Sequence, residues 1–493
     1  MRWRTWRSAR PGRRTSISPR RWKRAPADAS TTSTPPSWRG CARAPRSDGR
    51  AGVSDFVARA RDVLKARAAP DARKAAAEFV AQAQRDVAFQ LEACVHCGLC
   101  AEACHFYLVT RDPRHTPVHK LRPLRKAYRR ARGPFAALAR ALGLAPPAPD
   151  AAELEQWSEL LYDSCNLCGR CTLVCPMGID IAGLVRRARE GMAAAGFAPA
   201  DLYKASERAL DTGSPIGVRW PALRRQIELQ EQETGLRIPV DVEGADYMVI
   251  LSAIEVIGFP AVIGALARIF RQAVVSWTIP SAGFEATNIG VQIGSRDIAA
   301  ALLERVVDAA ERLKVKSVIS PECGHAYTAL RWEGPNLLGR SLPFKVVQIT
   351  ELLDQLVREG RLRLRGKDAR RLAFHDPCQL VRRGGLTEEP GRVMDTVSEN
   401  AVRMPAQGAA NFCCGGGGGV SAIHRAEKLR FAAFELKKRQ VEQAGAEALV
   451  TACANCRNVL EEAIDERGMT LPVLGLTELV AQYLEPEPAE AKP

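Results

Sequence analysis

Two short stretches constrain this chain more than anything else in it. CVHCGLCAEAC runs from Cys94 to Cys104 and CNLCGRCTLVC from Cys165 to Cys175, each with four cysteines separated by two, two and three residues. Cys378, Cys413, Cys414, Cys453 and Cys456 form a further set, and with the lone Cys323 and Cys41 they complete the 15 cysteines. A chain of 493 residues buries a large core and needs no disulfide staples. No apolar run follows the basic N-terminus or the pairs Arg13-Arg14 and Arg20-Arg21, so neither an ordinary nor a twin-arginine export signal is read there. The expectation is a cytoplasmic chain whose reduced thiols bind metal.

The two-two-three spacing is that of bacterial ferredoxins with two 4Fe-4S clusters. Three thiolates on a tight loop cap three irons of one cube, and the fourth, a helical turn on, reaches the other. Cys94, Cys97, Cys100 and Cys175 then hold one cluster, and Cys165, Cys168, Cys171 and Cys104 the other. A pair of zinc sites is the plainer alternative, but zinc takes four thiols in a tetrahedron and does not require two matching runs. Pro176 follows Cys175, whereas Cys104 is followed by His105. His96 beside Cys97 reads as a hydrogen-bond donor to cluster sulfur, since the cysteines already complete the ligand count.

The formal charge of +16 suggests nucleic acid only until it is located. Residues 1–50 carry 14 Lys and Arg against Asp28 and Asp48, a net +12 that leaves +4 for the other 443 residues. That end holds four of the eight tryptophans, with Pro and Ser clusters and no periodicity, and is expected to be disordered. An upstream, wrongly chosen start codon in GC-rich DNA gives the same composition, with the true start near Val53. Beyond it, Ser54 caps a helix running toward Pro70, and a second helical stretch from Ala75 to Leu91 leads into the first cysteine run. A basic, Pro- and Ala-rich segment from Arg111 to Ala152 separates the runs. From Asp246 short β-branched strands alternate with helices, the mark of parallel α/β structure. Tyr247 to Leu266 is the most apolar window, but Glu255 and Pro260 make it a buried strand, a loop and a helix start, not a membrane span. The expected division is a disordered tail over 1–52, a helical 2×4Fe-4S module over 53–245, α/β lobes over 246–345 and 346–480, and a disordered tail over 481–493.

The third set pairs thiols with the glycine run NFCCGGGGGV from Asn411 to Val420. Cys378 follows a strand from Leu372 to Phe374, and Cys453 and Cys456 follow another from Ala448 to Val450. The ends of parallel strands are where such sheets build sites. A helix starting near Asn455 stabilises thiolates through its N-terminal dipole. The glycines let backbone amides approach cluster sulfurs. Five thiolates exceed the needs of one cube, so something other than an ordinary 4Fe-4S cluster is expected.

These blocks together resemble the cysteine-rich CCG-domain proteins of the heterodisulfide reductase group, above all the D subunit of heterodisulfide reductase and the K subunit of the dissimilatory sulfite reductase-linked membrane complex. The likeness covers about Ala93 to Val473 and rests on CAEACHFYLVTRDP, CPMGID, PECGHAY at Cys323, FHDPC, FCCGGGGG and CANC. It implies that Cys378, Cys413, Cys414, Cys453 and Cys456 hold a non-cubane 4Fe-4S cluster that cleaves or forms a disulfide, fed with electrons by two cubanes. It also implies an oxidoreductase subunit with a membrane cytochrome b-type quinol-oxidising partner, at the inner face of the membrane through that partner, and a disulfide or thiol substrate that a small sulfur-carrier protein can present. Similar subunits of glycolate oxidase and anaerobic glycerol-3-phosphate dehydrogenase serve flavoproteins instead, without thiol chemistry of their own. No GxGxxG signature appears, so a flavin belongs on a partner.

The α/β part reads as duplicated. FEATNIG from Phe284 resembles FCCGGGG from Phe412, and VKSVISPEC ending at Cys323 resembles AEALVTAC ending at Cys453. Glu285 and Ala286 stand where the first copy would carry its double cysteine, so that copy is expected to bind no cluster. Cys323 is either a buried small hydrophobe or a thiol facing the cluster, with His325 as a proton donor near neutral pH. His375 fits a structural or a functional role equally. The expected fold is an all-α dicluster ferredoxin-like module followed by two pseudo-repeated α/β cysteine-rich lobes.

Overall fold

The computed structural model describes residues 53–132, 135–144 and 147–486. The expectations for segment 1–52 and for the extreme C-terminus lie outside the described residues. From Val53 to Thr234 every described element is helical. Asp71 accepts hydrogen bonds from the amides of Arg73 and Lys74 and so starts the helix Ala72–Gln82. The helical stretch expected over 75–91 is two helices, because the chain leaves helical geometry at Ala83 and restarts with Arg85–Glu92. The helix Ile181–Ala194 buries Leu184, Val185, Ala188 and Met192. It packs on Ala72–Gln82 with Gly191 directly beneath Phe79, whose ring lies 2.6 Å from where a Cβ would stand.

Eight strands follow: β1 Tyr247–Val249, β2 Trp277–Thr278, β3 Ser317–Ser320, β4 Lys345–Gln348, β5 Asp368–Phe374, β6 Ser398–Val402, β7 Ala448–Thr451 and β8 Val473–Gly475. They form two four-stranded parallel sheets, ordered β2-β1-β3-β4 and β6-β5-β7-β8. Every residue of β3 and β7 is buried, as expected of strands covered by helices on both faces. The mixture of helices and parallel sheet is thus the architecture of the chain.

The apolar window from Tyr247 contains a feature the sequence reading places as loop. After β1, Ser252 and Glu255 form a reciprocal capping box that starts a short helix, Ala253–Gly258, before the helix Ala261–Gln272. Among the described residues no helix is long and apolar enough to cross a membrane. The C-terminal tail begins later than residue 481. The helix Leu476–Gln482 continues past that point, Leu484 bridges antiparallel to Leu364, and the Glu485 amide donates to the Arg363 carbonyl at 2.9 Å.

Two glycines in the helical elements have opposite surroundings. A Cβ on Gly290 would stand 2.2 Å from the Ala299 amide nitrogen, whereas one on Gly391 meets nothing within 4 Å. Gly290→Ala is expected to destabilise the fold by about 1–3 kcal/mol through forced backbone movement. Gly391→Ala, within the helix Glu389–Val397, is expected to stabilise it by about 0.5–1 kcal/mol. Thermal unfolding of the two variants beside the parent checks both signs.

Candidate metal centres

Each cysteine run makes a loop that ends in one helical turn. Gly98 and Gly169 precede those turns, Leu99–Glu102 and Arg170–Leu173, in left-handed geometry at φ 81° and 75°. Cys94, Cys97, Cys100 and Cys175 line one cavity. Cys104, Cys165, Cys168 and Cys171 line a second. The fourth cysteine of each run therefore sits with the three of the other.

The electrostatics agree with this grouping. Burial pushes the Cys100 thiol up, and the negative charges of Cys94, Cys175 and Cys97 push it further. Burial does the same to Cys171, reinforced by Cys168, Cys165 and Cys104. Four thiolates cannot share so small an apolar space unless a cation compensates them. The donor set therefore fits an iron-sulfur cluster, with Lys120 adding positive charge at the second cavity. That lysine is buried, its Nζ donates to the Ser164 carbonyl, and it lies 3.7 Å from Cys104 Sγ. His96 is exposed, lines the first cavity and also meets Arg125, whose Nη1 is 3.2 Å from its Nε2.

The third set assembles at the C-terminal ends of β5 and β7. Cys378, Cys413, Cys414, Cys453 and Cys456 are all buried. Cys453 caps the helix Ala454–Glu466 and accepts from the Cys456 amide at 3.4 Å, so that helix starts one residue before Asn455. Cys378 and Cys413 sulfurs are 3.9 Å apart. Hydrogen bonding from Cys413 holds both Cys168 and Cys414 below the ordinary thiol range. The same contacts push Cys413 up, and the contact with Cys414 pushes Cys456 up. Cys168, which lines the second cavity, packs against the buried cluster that holds all five of these thiols.

His375 belongs to this site. It is fully buried, neither ring nitrogen has a hydrogen-bond partner, and its ligand atom lies within 4.8 Å of the Cys414 and Cys456 sulfurs. An orphaned buried imidazole beside thiols is the observation expected where a further group completes the site. Lys437 joins it with no motif in the sequence to announce it. It is buried on the helix Glu427–Ala444, donates to Asn411 Oδ1 at 2.7 Å, and is brought down to about 8 by burial beside Asp376, Cys413, Cys414 and Cys456.

Cys323 and His325 follow β3. Burial raises the Cys323 thiol well above its usual range, and the Ala454 amide donates to the Glu322 carbonyl at 2.8 Å, so the residues next to Cys323 and Cys453 meet. The proton-donor role expected of His325 does not fit. Burial holds its pKa at about 4, leaving it neutral near pH 7, and its Nε2 is in line to accept from the Gly418 amide at 3.3 Å. Glu285, in place of a double cysteine, is buried and brought up to about 7 by burial, with Oε2 unpartnered.

The glycine run packs against the second cysteine loop. Gly418 has φ 62°, and a Cβ there would stand 2.7 Å from the Asn166 carbonyl carbon. Asn166 Nδ2 donates to the Gly415 and Gly417 carbonyls at 2.6 and 3.0 Å, and its Oδ1 meets His105 Nε2 at 2.6 Å. Gln379 and Arg382, just after Cys378, donate to the carbonyls of Leu167 and Cys168 at 3.1 and 2.9 Å. Nothing in the spacing of the motifs marks Asn166 or Arg382; the only local signal is that Asn166 follows Cys165 directly.

Known proteins share these features. A family described as a 4Fe-4S dicluster domain matches residues 90–179, and one described as a cysteine-rich (CCG) domain matches 372–461. An Hdr-like menaquinol oxidoreductase iron-sulfur subunit 2 from Archaeoglobus fulgidus is 26% identical over 80% of this chain and 80% of its own. The D subunit of a dihydromethanophenazine:CoB–CoM heterodisulfide reductase from Methanosarcina barkeri is 26% identical over 80% of this chain and 94% of its own. An EtfAB:quinone oxidoreductase from Syntrophomonas wolfei is 26% identical over 76% of this chain and 55% of its own. The chain carries a dicluster domain and a CCG domain and is a homologue of the iron-sulfur subunits of heterodisulfide reductase-like oxidoreductases.

Proposed function

We propose that this chain passes electrons through two 4Fe-4S cubanes to a non-cubane 4Fe-4S cluster at the five-thiol site, where a disulfide is reduced or two thiols are oxidised. The observation that carries the reading is that Cys168, which lines the second cavity, packs against the buried cluster that holds a set with more thiols than a cube uses. In this reading Cys94, Cys97, Cys100 and Cys175 hold one cubane, Cys165, Cys168, Cys171 and Cys104 the other, and Cys378, Cys413, Cys414, Cys453 and Cys456 the third cluster. The two α/β parts, with the first extended past the expected boundary at 345 to include all of β4, are then two lobes of one ancestral design, because their sheets share one strand order and Cys323 and Cys453 follow equivalent strands.

A cluster held by Cys378, Cys413, Cys414, Cys453 and Cys456 would supply single-electron transfer to or from a substrate sulfur. The overall change balances as one disulfide plus two electrons and two protons giving two thiols. His375, kept neutral by burial, has an N–H to offer cluster sulfur, and Lys437 sets a cation beside thiolates that would otherwise repel. Cys323, facing Cys453 from the other sheet, is placed to meet the substrate. Electrons enter at the first cavity, whose Cys97 is exposed, from a cytochrome b-type partner that oxidises quinol; the quinol-linked names among the relatives support this.

A second reading has its own observation. All five thiols of the third set are buried, which suits a relay to a flavoprotein dehydrogenase with no substrate of its own.

Adding a thiol substrate to the oxidised protein is expected to produce a new paramagnetic signal, broadened when the thiol carries 33S and absent in Cys414→Ser. If no thiol perturbs the site while a flavoprotein partner reduces it quickly, the chain is a relay. A separate expectation concerns the first cavity. Cys97→Ser should remove one ordinary 4Fe-4S signal from the reduced protein's spectrum and leave the five-thiol site assembled; anaerobically purified protein holding mainly zinc would sink the electron-transfer reading.

A further inference from the structure

Apart from Lys120, which lies at the second cavity, the segment between the two cysteine runs has a composition that neither cluster requires. From Arg111 to Pro149 it carries ten Lys and Arg against Asp112 alone. The helix Arg122–Arg132 buries Pro123, Leu124 and Ala127, and leaves Arg122, Arg129 and Arg132 exposed. The next helix, Ala136–Ala141, packs back on it, with Leu138 exposed on the helix, Phe135 exposed just before it and Leu142 and Leu144 just after it. Phe135 is 80% exposed, Leu138 55%, Leu142 61% and Leu144 74%. Phe135, at φ 65°, has its carbonyl bonded by the Ala139 amide at 2.8 Å, and the Leu142 amide bonds the Leu138 carbonyl at 2.9 Å, so the short turn keeps these exposed apolar residues together as one stripe.

A stripe of that kind needs a cover, and the charge beside it says which. Basic side chains next to exposed Phe and Leu are the composition of helices that lie in the boundary between lipid headgroups and acyl chains. An uncharged lipid or protein face would give the excess of cations no counterpart. The location is consistent: Arg125 of the basic helix touches His96 in the first cysteine loop, where Val95, Leu99 and Met177 are exposed around the opening beside Cys97.

We propose that the helices Arg122–Arg132 and Ala136–Ala141 seat this protein directly on an anionic lipid surface. The basic helix faces the phosphates, and the stripe from Phe135 to Leu144 enters the headgroup boundary. The first cavity then lies close to the membrane. The proposal does not depend on the chemistry at the five-thiol site.

The test is sedimentation of the full-length protein with vesicles of phosphatidylcholine alone and of phosphatidylcholine mixed with phosphatidylglycerol. The parent is expected to sediment with the mixed vesicles and not with the neutral ones. Leu138→Glu together with Leu142→Glu is expected to lower the bound fraction roughly tenfold at the same salt, because it places anions in the stripe. Both positions are exposed, so thermal unfolding and the cluster spectra should be unchanged. Equal sedimentation of variant and parent, the outcome if the basic segment 1–52 alone held the vesicles, overturns the proposal. So does an absence of vesicle binding combined with capture of the parent, but not the variant, by an integral membrane redox partner, which would assign the stripe to a protein contact.

Discussion

The arrangement of the metal centres depends on one buried guanidinium. Arg189 has no exposed surface, and its five N–H groups are all used on four backbone carbonyls. Nε and Nη2 donate to Leu161 at 3.0 and 2.8 Å, Nη2 also to Cys165 at 2.6 Å, and Nη1 to Gln292 and Gly418 at 2.7 and 2.6 Å. These carbonyls belong to the second cysteine loop, the first α/β part and the glycine run. Hydrogen bonds to a charged donor contribute about 1.5–3 kcal/mol each, which offsets the cost of taking the cation out of water. No carboxylate shares this shell of acceptors. The strongest attraction Arg189 feels comes from Cys165, so thiolates in the second cavity give the buried charge its counterpart.

Around this clamp the glycine run makes sense as a packing device. The glycines let the loop bearing Cys413 and Cys414 lie against the Asn166 backbone, inside the second cysteine loop, where a Cβ would collide. The close approach seen is to protein backbone, and its effect is to hold Cys413 against Cys168. Arg170 adds to the same seam, its guanidinium 3.6 Å from the Phe412 ring centroid and its Nε donating to the Ala410 carbonyl. Burial supplies the rest of the chemistry, since it makes isolated thiolates costly and a cation among them favourable.

Much of this is legible in the sequence because cysteine spacing is a local signal. Which thiols gather at each cavity follows from two-two-three spacing plus one helical turn, and the strand ends bearing Cys378 and Cys453 follow from the short apolar runs Leu372–Phe374 and Ala448–Val450. What is not legible is long-range. Arg189, Asn166 and Lys437 act on segments 229, 249 and 26 residues away in sequence, and none sits in a pattern that announces it. His325 misleads because a histidine beside a cysteine looks like a proton donor, whereas its half-buried place against the glycine run brings its pKa down to about 4 and keeps it neutral. The helix break at Ala83 and the short helix capped by Ser252 lie within runs whose periodicity does not show them.

The central claim is that the second cavity and the five-thiol site are electronically adjacent, joined at Cys168 and Cys413. Its most direct test is electron paramagnetic resonance of protein poised so that the ordinary clusters are reduced and the five-thiol site is in its thiol-induced paramagnetic state. The account predicts mutual spin–spin broadening of the two signals, with the broadening of one ordinary cluster much stronger than that of the other and lost in Cys168→Ala. Sharp, independently relaxing signals in the parent protein would contradict it.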